Sequence, residues 1–132
     1  FLPKKLLKKR GPGGTRRKTG AQGEALAAEH YAQDGYTLRE SNYRTRHGEL
    51  DLILEKDGLL VFAEVKTRAP SARVSGREAV DAHKQRKLIL AAQHYLQQHK
   101  LGEPFIRFDV VEVELPAAGL PAIHRIEDAF GL

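Results

Sequence analysis

No cysteine occurs in these 132 residues, so disulfides and thiol chemistry are excluded. A reducing compartment is allowed, and the cytoplasm is the expected location. Methionine is absent too, even at position 1, so the natural start is expected upstream. No apolar run approaches the ~20 residues of a membrane span, and no membrane partner is expected. Residues 2–7 are too short and too interrupted by lysine to act as a signal peptide. The six histidines (His30, His47, His83, His94, His99, His124) lack a zinc spacing; His94 and His99 are five apart, off a single helical face. There is no serine-centred nucleophile elbow. The glycines in residues 11–14 lack the Gly-Lys-Ser/Thr ending of a phosphate-binding loop. No internal repeat is present.

Acidic residues are missing from one region only. Residues 1–18 hold eight of the 22 basic residues and no acid, whereas residues 19–132 hold 14 basic against 17 acidic residues. The net charge of +5 therefore belongs to a basic, flexible tail at 1–18, and the domain expected at 19–132 is slightly acidic. A hydrophobic fraction of 41% and a charged fraction of 30% suit one soluble domain. Such a tail reads first as solvated chain; its functional reading is an attraction to nucleic acid that does not read sequence and weakens with salt.

The most informative stretch is 49–68, two apolar runs around Lys56-Asp57-Gly58. Asp57-Gly58 suits a two-residue hairpin turn, which needs positive φ. With that loop, Lys56 faces Leu59, Ile53 faces Phe62 and Asp51 faces Glu64. Period-two alternation then puts Glu49, Asp51, Glu64 and Lys66 on one face. Leu50, Leu52, Leu54, Val61, Ala63 and Val65 form the other, an apolar face. A three-residue loop would instead pair Asp51 with Ala63. Facing carboxylates stand about 5 Å apart at Cβ. At an effective dielectric near 20 they repel by about 3 kcal/mol. A shared proton, a nearby cation such as Lys66, or a bound metal could offset this.

Residues 19–33 read as a helix opened by a Thr19/Gln22 capping box and stopped by Asp34-Gly35. Ala21, Ala25, Ala28 and Ala32 form a small-residue stripe suited to packing on a sheet, with Glu24 beside it. Glu24, taken alone, reads as a first-turn carboxylate that favours the helix dipole. Residues 36–43 read as a strand. Arg44 and Arg46 then enter a basic loop, an ordinary connection or a phosphate contact. Residues 67–75, with Arg68 and Arg73, read as a loop. Residues 77–98 read as a helix broken near 81–83, residues 105–115 as a strand, and residues 122–126 as a short final strand. Charged residues such as Arg86 read as a solvated helix face. The order implies an α/β domain with a mixed central sheet.

Asp51, Glu64 and Lys66, joined by Glu24 if the first helix crosses the open end of the hairpin, offer oxygen ligands suited to Mg²⁺ or Mn²⁺. The ordered set Asp51 … Glu64-Val65-Lys66 also resembles the PD-(D/E)xK nuclease superfamily. A closer resemblance is to the YraN-type family of predicted bacterial endonucleases, relatives of the Holliday-junction resolvases. It is carried by Gly23-Glu24-Ala25, Asn42-Tyr43-Arg44, Gly48 to Ile53, Val61 to Arg68, Lys84, and Arg107 to Val111. Ala63 stands where a valine is more usual.

This resemblance implies a restriction-endonuclease-like three-layer αβββαβ core. It implies that Glu24, Asp51, Glu64 and the Val65 backbone carbonyl bind Mg²⁺ or Mn²⁺, and that Lys66 assists the attacking water. Arg44, Arg46, Arg68 and Lys84 are the expected nucleic-acid contacts, DNA (branched DNA included) the expected partner, and a homodimer the expected assembly. The alternative is a non-catalytic nucleic-acid-binding or partner-binding module on the same fold. A third reading is a structural remnant whose acids pair only with Lys66 and Arg44.

Overall fold

The computed structural model describes residues 14–69 and 80–131. Residues 1–13, and Arg73 with most of the loop expected at 67–75, lie outside the described residues. The elements run α1 (Gly14–Gln33), β1 (Thr37–Arg44), β2 (Glu49–Lys56), β3 (Leu59–Arg68), α2 (Ala82–Gln98), β4 (Phe105–Glu114) and β5 (Ala122–Phe130). The strands form one mixed sheet in the order β1-β2-β3-β4-β5. Only β3 and β4 are parallel, joined through α2; the other neighbours are antiparallel.

The hairpin has the two-residue loop. Lys56 pairs with Leu59, Ile53 with Phe62 and Leu52 with Ala63. Asp57 and Gly58 both have positive φ, 50° and 82°, as a type I′ turn requires. The sheet is covered on both sides. Ala27 and Tyr31 of α1 pack with Leu52, Leu54, Val61, Ala63, Val111 and Val113. On the other side Leu88, Ala91, Ala92 and Tyr95 of α2 pack with Leu50, Ile53, Leu60, Phe62, Phe108 and Val110. The result is the three-layer α/β core expected of a restriction-endonuclease-like domain.

Five expectations need correction. The hairpin does not have one apolar face and one polar face, because a helix covers each side and only the open end stays polar. Nor is alternation strict: Leu50 and Ile53, three apart, share one core cluster, so the pattern breaks across Asp51. The first helix begins at Gly14, which places Thr19 inside it rather than at its cap and takes residues 14–18 out of the tail. Its packing face is Gly23, Ala27 and Tyr31, while Ala21, Ala25 and Ala32 are exposed. A large side chain at Tyr31 can reach the buried Asp109 of β4 (hydroxyl to Oδ2, 2.7 Å), which an alanine stripe cannot do. Finally, Thr67 and Arg68 belong to β3 rather than to a loop, because β4 pairs with β3 as far as Arg68↔Glu114.

The helix ends follow the local chemistry. In α1 the Tyr36 N–H donates to the Tyr31 carbonyl and the Gly35 N–H to that of Ala32, with Gly35 at φ 88°. This double bond closes the helix with a left-handed residue, for which glycine carries no Cβ penalty. Asp81 caps α2 by accepting from the Lys84 N–H at 2.8 Å. The break expected near 81–83 is therefore where α2 starts.

Candidate active site

Three elements bring the predicted acids to the open end of the hairpin. Asp51 lies on β2 and Glu64 on β3, and the Val65 N–H donates to Asp51 Oδ2 at 2.8 Å. Glu64 is only 5% exposed, unusual for a carboxylate. Its Oε2 meets two ammonium groups, Lys66 Nζ at 3.3 Å and Lys84 Nζ at 3.2 Å. Lys84, expected on nucleic acid, thus reaches the site itself from the first turn of α2.

Glu24 enters from α1. Its helix can come close because position 23 is glycine: a Cβ there would lie 1.8 Å from Thr67 Oγ1 of β3. Glu24 is half-buried. Burial raises its carboxyl above the usual range, a hydrogen bond from Asn42 lowers it, and the charges of Glu49 and Glu64 raise it. Asp51 is affected more strongly. Burial and the Glu64 charge push it up to about 8, against the lowering effect of the Val65 N–H; the charge of Glu24 and a hydrogen bond with Glu64 add to the rise. Without a metal, then, the charges of the two carboxylates are offset in two ways: the neutral form of Asp51 is favoured, and two lysines meet Glu64.

The donor set consists of carboxylate oxygens, which suits a hard divalent cation. Among the described residues, no three His, Asp or Glu side chains stand close enough to hold an ion by themselves. Mg²⁺ does not require three, since one or two carboxylates with water and substrate phosphate can complete its shell. Asp51 and Glu64 supply such a pair, with Glu24 alongside. Val65, the expected carbonyl ligand, lies between Glu64 and Lys66 and spends its N–H on Asp51.

The expected arginine contacts are more dispersed. Arg44 is exposed and pairs with Glu49 at 3.1 Å. Arg46 is exposed in the β1–β2 loop, and Arg68 is half-buried at the end of β3. No charge pattern in the sequence marks Asn42 as a partner of Glu24, nor Gly23 as the close approach that admits α1. Asp109, read only as part of a matching motif, is fully buried among Tyr31, Arg107 and the Asp128 N–H. It fastens α1 and β5 to the sheet rather than joining the acids.

The profile described as "Uncharacterised protein family UPF0102" matches residues 23–113, a span that contains every carboxylate and lysine of the site. A UPF0102 protein of Alkaliphilus oremlandii is 40% identical over 116 residues, covering 86% of this chain and 98% of that one. A UPF0102 protein of Symbiobacterium thermophilum is 44% identical over 114 residues, 86% of this chain and 97% of that one. One of Syntrophomonas wolfei is also 44% identical over 114 residues, 86% of this chain and 98% of that one.

Proposed function

The chain belongs to the uncharacterised protein family UPF0102, the YraN-type family, and from its own side chains we propose that it is a metal-dependent DNA endonuclease. One observation carries this reading. Two carboxylates share one end of the hairpin, Asp51 accepting from the Val65 N–H at 2.8 Å and Glu64, 5% exposed, held by two lysines at 3.3 and 3.2 Å. A fold gains no stability from gathering like charges in this way, whereas phosphodiester hydrolysis uses such a group.

Asp51 and Glu64, with the Val65 carbonyl, would hold Mg²⁺ or Mn²⁺, and Glu24 would support them from α1. Bound there, the ion would lower the pKa of water and neutralise charge in an in-line displacement. Lys66, 3.3 Å from Glu64, would orient the attacking water. Lys84, 3.2 Å from Glu64, would meet the charge that builds on the phosphate. Arg44, Arg46 and Arg68 would receive flanking phosphates. A homodimer would present two such sites, one for each strand of a branched DNA.

The test is cleavage of linear, nicked and four-way-junction DNA with Mg²⁺ or Mn²⁺. The expected result is cleavage that falls by about 100-fold or more in Glu64→Ala and in Lys66→Ala. Cleavage of none of these substrates, or cleavage unaffected by both changes, sinks the reading.

The second reading, a non-catalytic binding module, draws on the same geometry. Glu64 already has two cationic partners, so the acids can be satisfied without metal. Under that reading Mg²⁺ leaves the melting temperature unchanged. A site that binds metal only when folded raises it.

A further inference from the structure

Helix α2 carries no acid. From Ala82 to Gly102 the chain holds Lys84, Arg86, Lys87 and Lys100 but neither Asp nor Glu. The first three stand in the opening turns of the helix. There the positive end of the helix dipole disfavours cations, and an acid would add stability. Lys84 and Lys87, three apart, also set like charges side by side on the helix surface. Helix stability therefore gives no reason for this placement.

Packing brings a further cation to the same place. Lys84 Nζ lies 3.2 Å from Glu64. Three residues on, the β1–β2 loop lies against α2, since a Cβ at Gly48 would stand 3.4 Å from Lys87 Cβ. The loop is closed on itself. The Thr45 N–H and hydroxyl both donate to the Gly48 carbonyl at 2.9 and 3.0 Å. The Thr45 hydroxyl oxygen accepts from the His47 and Gly48 N–H groups at 3.0 and 3.2 Å. Arg46 within this loop and Lys87 beside it are both exposed. Neither has an ion-pair partner among the described residues, whereas Arg44 is held by Glu49.

On the far side of the sheet the balance reverses. β4 and β5 carry five acids against Arg107 and Arg125. Both arginines are already paired, Arg107 with Asp109 at 2.8 Å and Arg125 with Asp34 at 2.6 Å. A polyanion reaching Glu64 is thus attracted along the α2 flank and repelled along the β5 flank.

We infer that the seam between α2 and the β1–β2 loop is a track for a phosphate backbone, in which Lys87 and Arg46 contact the strand of duplex DNA that leads to Glu64. This role rests on DNA as the partner proposed above, not on its cleavage.

The test is the salt dependence of duplex-DNA affinity, measured on the full chain without divalent metal. Glutamine matches lysine in helix propensity, so Lys87→Gln should keep the wild-type melting temperature. Lys87→Gln and Arg46→Gln should each flatten the log–log slope by about 0.9, and the double variant by about 1.8, one phosphate contact being lost with each. At 0.1 M salt each single change should weaken binding by about 5- to 10-fold. Lys100→Gln removes the same charge about 20 Å further along the axis of α2 and should leave the slope unchanged.

A slope unmoved by Lys87→Gln overturns the track, whatever Arg46→Gln does. An equal loss in Lys100→Gln also overturns it, because net charge alone would then be acting. So does a full chain that binds no duplex DNA. Slopes that fall as expected in a chain that cuts no DNA keep the track and refute the endonuclease reading.

Discussion

Asp51 gathers the opposing forces of the site in one carboxyl group. In the unfolded chain it titrates at about 3.9. In the fold it is pushed up to about 8, first by burial and then by Glu64. Between those values the folded state holds a proton that the unfolded state has released. Stability should therefore fall as pH rises from about 4 to 8, with the full loss in place above 8. Asp51→Asn removes this titration, so its metal-free melting temperature should vary less over the same range. A divalent ion bound by Asp51 must displace the proton, so its stabilisation should grow with pH across this window, with proton release below pH 8. Melting curves from pH 5 to 8.5, with and without Mg²⁺, check both statements. A metal-free stability that rises with pH in the wild type contradicts the assignment.

The elements hold their places through two glycine-type positions that behave differently. At Gly23 the issue is space, since α1 lies so close to β3 that a Cβ would meet Thr67 Oγ1. Gly23→Ala should destabilise by about 1–3 kcal/mol, the usual cost of overpacking. It should also carry Glu24 away from the site. Thr67→Ala in that background should restore part of the stability, as denaturant melts of the single and double variants would show. At the end of α2 the issue is backbone conformation. Leu101 N–H donates to the Leu96 carbonyl and Lys100 N–H to that of Gln97, the same closing pattern as at Gly35 of α1. Here the left-handed residue is Lys100, at φ 51°. Lys100→Gly removes the Cβ penalty but gives the unfolded chain more freedom. A net gain of about 0.5–1 kcal/mol is expected, seen as a melting temperature higher by about 2–4 °C.

For the whole molecule, charge is divided between segments rather than spread over a face. Five of the basic residues fall within 1–13 (Lys4, Lys5, Lys8, Lys9, Arg10), ahead of the first helix. Deleting 1–13 should flatten the dependence of DNA affinity on salt by up to about 4.5 in log–log slope, at about 0.9 per phosphate contact. Asp51→Ala should leave that slope unchanged. Affinity measured at several salt concentrations separates the two. An unchanged slope after the deletion would assign DNA attraction to Arg44, Arg46, Arg68 and their neighbours.

The sequence alone determined the order of elements, the hairpin register and the Asp51–Glu64–Lys66 set. These depend on local causes: a positive-φ dipeptide, period-two alternation, and side chains a few positions apart. It also carried the resemblance that placed Glu24 with them. The face of α1 that packs, the break in alternation across Asp51 and the arrival of Lys84 on Glu64 were not legible. Each depends on how closely two distant segments approach. Packing decides that distance globally, through contacts such as Gly23 on Thr67 and Tyr31 on Asp109, and no local spacing encodes it. The acids were visible as candidates because their residue types are unusual on a strand. What holds them together became visible only when α1, β1 and α2 closed over the same end of the sheet.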